Sequence, residues 1–190
     1  PYYSGTALLR PALAEYSFAL GSIREDYGKS SFAYGDVLGV ASYRRGVTDT
    51  LTAGARAEAQ ANGIHALGAD AAWQAGQVGI VSAQVAAGGD SAATGFLAGL
   101  GIEHNGQGFS VFAQTQYASR TFMQIGMAGL NYQPRQRTFA GLGFDFGLRG
   151  SMQLAYGLQS YYDSPDSQTF GLSYSLNIGA MGYLGFYASH

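Results

Sequence analysis

The chain has 190 residues, enough for one domain with a sizeable core or for one small barrel. Only 12% of the residues are charged, about half the share of an ordinary soluble domain, whereas Gly (29), Tyr (14) and Phe (11) are abundant. A net charge of -2 gives no argument for binding nucleic acid. The lack of Cys excludes disulfides and thiolate metal sites, and no apolar run approaches the length of about 18 residues that a transmembrane helix needs.

Alternating apolar and polar residues predict strands along most of the chain. Residues 1–13 are an entry segment, in which Pro11 cannot donate to a sheet. The clearest strand is 51–60, LTAGARAEAQ, whose strict alternation is long enough to cross a bilayer if the strand tilts by about 45°. Other strands are predicted at 15–23, 37–45, 64–75, 77–87, 94–104, 108–118, 138–146, 151–161, 168–177 and 181–188. Asn62-Gly63, a turn signal of type I′, and Asn105-Gly106 predict hairpins.

Residues 119–136 are harder to interpret, because they leave room for a short strand at 122–126 but end in a segment with Pro134 and two Arg. No helix is predicted. The connections are short, so neighbouring strands should be antiparallel. The sequence therefore predicts an all-β protein with about 10–12 strands.

The two faces of these strands differ in character. One face carries Gly, Ser, Gln and a few charges, and the other carries Ala, Leu, Phe and Tyr. A packed soluble barrel has an apolar interior and a polar exterior, and the reverse arrangement is typical of membrane barrels. We therefore predict an antiparallel transmembrane β-barrel with a polar interior and an apolar exterior in contact with the lipid bilayer. The alternative is an ordinary soluble sandwich. Tyr residues near predicted strand ends would form an interfacial aromatic girdle: Tyr16, Tyr43, Tyr117, Tyr132, Tyr161 and Tyr187.

Charged residues on the polar face are the candidate functional residues. Arg44, Arg56, Glu58 and Asp70 fall on three consecutive strands and predict a lumenal charge cluster. The cluster would either hold a plug or a passing substrate, or form a mutually neutralising, hydrated wall. Arg24, Glu25 and Asp26 predict a charged rim loop.

No catalytic, cofactor or metal site is predicted. His65 lies on the apolar face, His104 at a turn and His190 at the terminus, so they do not form a metal pair with sensible spacing. The Gly-x-Gly pairs are not followed by a helix, as a phosphate-binding loop requires. We therefore expect a protein that is not an enzyme.

Residues 8–58 resemble the barrel domain of fimbrial outer-membrane ushers of the chaperone–usher pathway. The resemblance rests on two segments, LLRPALAEYSFALGSIREDYG (8–28) and SFAYGDVLGVASYRRGVTDTLTAGARAE (31–58). In that family a segment close to LLRPGL precedes a Tyr-Ser-Phe strand, an Arg-x-x-Tyr-Gly loop and an Arg-Tyr-Gly-x-Thr-Asp-x-Leu-Thr hairpin. This chain has Ala12 in place of the usual Gly and Arg45 in place of the usual Tyr.

The resemblance implies a bacterial outer-membrane pore that exports and assembles pilus subunits delivered by a periplasmic chaperone. We expect residues 1–190 to be a single barrel segment, since neither a plug nor a separate periplasmic domain is recognisable. Because unpaired strand edges are costly in lipid, the segment should belong to a larger barrel, self-associate edge to edge, or close on itself. Closure would make it a self-contained porin-like or structural barrel, the alternative function.

Overall fold

A computed structural model describes residues 8–24, 32, 34–127, 133–177 and 183–189. Eleven strands account for most of them: β1 (Ala14–Arg24), β2 (Tyr34–Thr48), β3 (Leu51–Gln60), β4 (His65–Gln74), β5 (Ile80–Gly89), β6 (Thr94–Asn105), β7 (Phe109–Ala118), β8 (Pro134–Asp145), β9 (Ser151–Tyr161), β10 (Ser167–Asn177) and β11 (Tyr183–Ser189). Two short 3₁₀ turns, Gly76–Val78 and Gly147–Arg149, complete the elements. In this part of the chain, no helix is long and apolar enough to cross a membrane.

The strands form one antiparallel sheet whose spatial order follows the sequence from β1 to β11. Each strand therefore pairs with its neighbours in the chain, which confirms the predicted all-β antiparallel architecture. Strands β1 and β11 are the two edges, and no pairing joins them within the described residues. The sheet is thus open, as expected for a segment of a barrel.

Side-chain exposure alternates along the strands as the sequence predicts. In β3, Ala55, Ala57 and Ala59 are exposed, whereas Thr52 and Glu58, which have the opposite strand parity, are buried. Strand β4 repeats the pattern, with His65, Leu67, Ala69 and Trp73 on the exposed side. We call the side that contains Thr52 and Glu58 the inner face and the opposite side the outer face.

The strands are staggered, as in a barrel wall. The pairing runs step by step from Glu15 on β1 to Gln159 on β9. Glu15 lies near the start of β1, but Gln159 lies near the end of β9, at the opposite end of the sheet. A row perpendicular to the strands therefore climbs from one rim to the other, which is the geometry of tilted strands in a barrel.

The two rims differ in the length of their connections. Short turns occupy one rim, at 49–50, 75–79, 106–108 and 146–150, and longer connections at the other include 25–33 and 119–133. The hairpin at Asn62-Gly63 is confirmed, but its predicted type I′ turn is wrong, because only Gly63 has a positive φ (95°). Gly63 N donates to Gln60 O (3.0 Å) and Gln60 N donates to Ile64 O (2.8 Å), which makes a three-residue loop with a left-handed glycine.

The entry segment turns sharply before β1. Leu13 N donates to Arg10 O (3.0 Å), and Ala12 between them has φ 64°, a left-handed conformation. Pro11 makes a parallel bridge with Gly46 outside the main ladder, as its missing N–H requires. Leu9 N donates to the buried Thr52 hydroxyl (2.8 Å), so this segment packs on the inner face of the β2–β3 hairpin.

The connection between β7 and β8 folds onto the inner face. We call residues 119–127 the inner strap. The short strand predicted at 122–126 is wrong, since these residues are in turns and irregular structure. Phe122 is instead fully buried among apolar inner-face residues of the sheet, and this tertiary contact replaces strand pairing: Ala66, Ala86, Leu97 and Ala118.

Of the tyrosines predicted to form an aromatic girdle, only some lie on the outer face. Tyr16 pairs directly with Tyr43 on the outer face, and Tyr117 also lies on that face. Tyr161 and Tyr187 are on the inner-face register, so their placement in a lipid-facing girdle is wrong. Tyr132 lies outside the described residues.

Candidate pore wall

Polar side chains form a continuous row across the inner face, which we call the inner polar row. Its members are successive partners on β1 to β9: Glu15, Arg44, Gly54, Asp70, Gln84, Gly99, Gln116, Arg137 and Gln159. Each of the two glycines lies between larger polar residues on the two neighbouring strands.

The first contact in this row crosses a glycine. Arg44 Nε lies 3.5 Å from Asp70 Oδ2, and each side chain is 18% exposed. Gly54 is on the strand between them, and a Cβ there would come within 2.7 Å of both Arg44 Cγ and Asp70 Oδ1. Gly54 therefore provides the space in which the two side chains meet.

The same arrangement recurs further along the inner polar row. A Cβ on Gly99 would lie 2.6 Å from Gln84 Nε2 and 3.0 Å from Gln116 Cγ, so these two glutamines approach each other over the glycine. With the Gln159 amide oriented to present its oxygen, it accepts from Arg137 Nε (3.0 Å). The row thus offers hydrogen-bond donors and acceptors along its length.

A second charge pair lies beside the inner polar row. Arg56 Nη2 is 3.3 Å from Glu58 Oε2, and both residues belong to the inner face of β3. The Glu58 side chain is only 3% exposed. Its other oxygen, Oε1, accepts a hydrogen bond from Ile125 N of the inner strap (2.8 Å). Glu58 therefore joins the sheet to the strap.

All four residues of the predicted charge cluster are on the inner face, but the structure brings them together as two pairs: Arg44 with Asp70 and Arg56 with Glu58. Their role toward a plug or substrate stays a prediction. Of the predicted rim loop, Arg24 ends β1 opposite Tyr34, while Glu25 and Asp26 lie outside the described residues.

Sequence patterns did not predict the inner strap. A possible signal was present in the sheet, because small residues recur at inner positions of β4, β5 and β6: Ala66, Ala86, Gly88 and Gly95. Small side chains there leave room for another segment to pack on the sheet. A cavity of about 340 Å³ lies between the strap and the neighbouring wall, and it is bordered by polar side chains that include Gln114, Gln116, Gln124 and Arg137.

The outer face presents large apolar side chains. Phe18 is 74% exposed and Leu100 is 62% exposed, and the same face exposes Leu67, Val85 and Phe96. Monomeric soluble proteins rarely expose an apolar surface of this extent. The wall is therefore apolar outside and polar inside, as the sequence predicts.

Histidine and acidic residues do not form a metal centre in the described chain, where no group of three potential ligands comes together. His65 Nδ1 lies 3.0 Å from Gly63 O, and His104 Nδ1 lies 3.2 Å from Val78 O. Each ring is thus near a main-chain oxygen. His190 is outside the described residues.

The loops at the rim with the longer connections contain two groups whose pKa is shifted. The N–H groups of Ala93 and Ala92 donate to Asp90 Oδ1 (3.0 and 2.8 Å) and lower the pKa of that carboxyl. Burial and a hydrogen bond with the Tyr117 hydroxyl (3.1 Å) raise the pKa of Tyr162. The Asp90 contacts lie within the 90–93 loop, whereas the Tyr162 contact joins a loop to β7.

Comparison with solved structures identifies the fold of this sheet. The chain matches "Structure of the P pilus usher (PapC) translocation pore" with a TM-score of 0.76 and 19% identity over 96% of its length. The fold is that of an usher translocation pore. A second usher pore, "Crystal structure of Usher PapC translocation pore", matches with a TM-score of 0.74 and 19% identity over 96% of the chain. This confirms the predicted usher resemblance at the level of the fold.

A third match is PapC within a larger assembly, an E. coli P pilus tip assembly intermediate that contains PapC, PapD, PapK and PapG. Its TM-score is 0.78, with 18% identity over 96% of this chain. The chain covers 40% of each usher pore structure and 25% of the PapC chain in the assembly. No family model and no curated protein matches the sequence significantly.

Proposed function

We propose that this chain is a segment of an outer-membrane usher pore that exports and assembles pilus subunits delivered by a periplasmic chaperone. The observation that carries the proposal is the usher pore fold over 96% of the chain, combined with a polar inner face and an exposed apolar outer face. Apolar-out and polar-in is the arrangement of a water-filled barrel in lipid.

The segment forms part of a larger barrel in this proposal. Support comes from the two open edges at β1 and β11 and from the chain's coverage of 40% of the usher pore structures. Unpaired backbone groups in lipid cost several kcal/mol each, so both edges must be paired, and in a larger barrel further strands pair with them. A second copy pairing edge to edge is another way to satisfy them. Closure into a self-contained porin-like barrel would require β1 to pair with β11.

The proposed role is transport without catalysis. The inner polar row would contact the hydrated surface of a passing subunit, as a mixed donor and acceptor surface can do without binding it tightly. The residues expected to shape this surface are the two charge pairs, Arg44 with Asp70 and Arg56 with Glu58. The bacterial outer membrane is the proposed location, because the exposed outer face fits a lipid environment.

Two adjacent arginines provide a matched test. Arg44 is on the inner face and Arg45 is on the outer face of the same strand. In the complete protein reconstituted in planar bilayers, we expect Arg44→Ala to change conductance and ion selectivity, because it removes a lumenal charge and leaves Asp70 without this ion pair. Arg45→Ala removes the same charge from the same strand and should leave both properties unchanged.

Secretion in cells provides the second measurement. Pilus assembly should be lost when strands β2 to β4 are replaced by strands of an unrelated barrel, and heat-modifiable migration should verify that the replacement protein folds. Normal piliation by the folded replacement would contradict the usher proposal. Equal effects of Arg44→Ala and Arg45→Ala on conductance would contradict the assignment of the inner face to a pore.

A further inference from the structure

Aromatic rings form a row on the outer face, at the rim that carries the short turns. The ring centroids of His104 and Phe109 are 6.0 Å apart, and those of Phe109 and Phe144 are 5.4 Å apart. Phe144 stacks on Phe146 at 6.3 Å. Phe109 and Phe144 are direct partners on β7 and β8, whereas Phe146 lies in the turn that follows β8. The row therefore extends the apolar outer face into the turn at 146–150.

Hydrogen bonds fix this turn to the wall. Phe146 N donates to Gly150 O (2.8 Å) and closes the turn. The Tyr174 hydroxyl, on the outer face of β10, donates to Arg149 O. Leu148 at the tip is nevertheless 97% exposed, more than any other large apolar side chain in the part of the chain that the structure describes. Because the backbone of the turn is fixed, the sheet does not bury Leu148, and a partner outside the sheet is needed to cover it.

An earlier turn at the same rim, at 75–79, has the same backbone construction. In both turns the N–H of the first residue donates to the carbonyl of the fifth (2.8 Å), and glycines with positive φ hold the second and fifth positions. Gln77 occupies the position of Leu148. Val78, which is 58% exposed, occupies the position of Arg149. The tip position therefore carries an amide in one turn and an apolar side chain in the other, although the backbones match.

The residues around the apolar tip fit the boundary of a membrane. Arg149 follows Leu148 and is exposed, and the exposed Asp145 precedes the turn. Aromatic rings and long cationic side chains are favoured where lipid headgroups meet hydrocarbon. The short turns of bacterial outer-membrane barrels face the periplasm, so the leaflet at this rim is phospholipid. Phospholipid is the partner that these observations favour, because the row of rings joins the tip to the outer face, which the proposed function places in lipid.

We propose that the turn at 146–150 is a membrane anchor, in which Leu148 and Phe146 enter the edge of the phospholipid hydrocarbon layer. The inference rests on the proposed function, since it requires that the outer face contact lipid. The tip of the turn at 75–79 carries Gln77 and remains in water. The rim is thus held in the membrane unevenly, more deeply at the turn after β8 than at the turn after β4.

Fluorescent labelling of the complete protein in phospholipid vesicles tests the anchor. This segment has no Cys, and any Cys elsewhere in the complete protein is replaced first. The same apolar fluorophore is attached to Leu148→Cys, to Gln77→Cys as the matched tip, and to Leu100→Cys, an exposed outer-face position in the middle of β6. Heat-modifiable migration verifies that each variant folds. Quenching is then measured with iodide on both sides of the vesicle and with lipids that carry a nitroxide at a known depth.

The label at position 148 should lose iodide quenching and be quenched by lipid nitroxide, most strongly when the nitroxide is near the headgroup. The label at position 77 should show the reverse order of the two quenchers, and the label at position 100 should respond most to a nitroxide deep in the acyl chain.

Three results would overturn the anchor. Iodide quenching at position 148 equal to that at position 77 would place the tip in water. Protection of position 148 from both quenchers would show that a protein covers it. A depth at position 148 equal to that at position 100 would place the turn inside the hydrocarbon layer. If position 100 is not quenched by lipid nitroxide, the outer face is not in lipid, and the proposed function and the anchor fail together. If positions 100 and 148 respond as expected but the protein assembles no pili, only the proposed export function fails.

Discussion

Ala12 provides a sharp test of the backbone geometry, because it occupies a left-handed conformation (φ 64°) at the third position of the turn from Arg10 to Leu13. A left-handed residue with a Cβ costs roughly 1–2 kcal/mol, and glycine adopts this conformation without that cost. Glycine also has more freedom in the unfolded chain, which offsets about 0.4–1 kcal/mol. Ala12→Gly should therefore stabilise the protein by about 0.5–1 kcal/mol.

Urea unfolding in lipid vesicles measures this difference. With a slope of about 2–3 kcal/mol per molar urea, the midpoint should rise by roughly 0.2–0.5 M. The matched control is Ala14→Gly at the start of β1, an extended residue at which glycine should destabilise by about 0.5–1 kcal/mol. Equal destabilisation by both substitutions would refute the left-handed turn. It would also remove the structural reason for glycine at this position in usher sequences.

Three further results are expected. Gly54→Ala should separate Arg44 from Asp70, because the new Cβ would lie 2.7 Å from both side chains. Pore selectivity should then change as we expect for Arg44→Ala. Selectivity identical to that of the unmodified protein would contradict the contact. Because folding lowers the pKa of Asp90, the carboxylate should stabilise the 90–93 loop at pH values above its ordinary pKa of 3.8. This stabilisation should disappear as the pH falls through the lowered pKa. Hydrogen exchange at Ala92 and Ala93 should show the transition, and Asp90→Ala should lack it. The raised pKa of Tyr162 should make stability fall as the pH rises from about 10 through the raised value, and Tyr162→Phe should lack this dependence in alkaline unfolding curves.

The strands were predictable because their two faces meet different environments. In β3, alanines alternate with Thr52, Arg56 and Glu58, and this alternation indicates an apolar outer face and a polar inner face. The short hairpins followed from Asn-Gly turns, and sequential pairing followed from short connections. Local sequence carries these features, so a single sequence was enough to predict the sheet.

The inner strap could not be predicted in the same way. Its residues, FMQIG at 122–126, are mostly apolar and uncharged, so the local sequence allows a short strand as well as a strap. The choice depends on the recess formed by Ala66, Ala86 and Leu97, which are distant in sequence and adjacent only after the strands pair. The strap illustrates how tertiary packing overrides local propensity.

The candidate site was predicted as a set of residues but not as an arrangement. Strand parity correctly placed Arg44, Arg56, Glu58 and Asp70 on one face. Parity does not give the register between strands, however, and register decides that Arg44 meets Asp70 across Gly54. The backbone hydrogen bond to Glu58 depends on the strap, so sequence patterns could not indicate it either.

The open sheet edges allow the most direct test of the account. The 190-residue chain should be refolded in detergent micelles, with its mass read by light scattering and the protection of backbone amides in β1 and β11 read by hydrogen exchange. As a segment of a larger barrel, it should fail to fold alone or should associate through its edges into dimers or larger oligomers. A compact, heat-modifiable monomer with protected amides in both β1 and β11 would contradict this account, because the chain would then close its own small barrel.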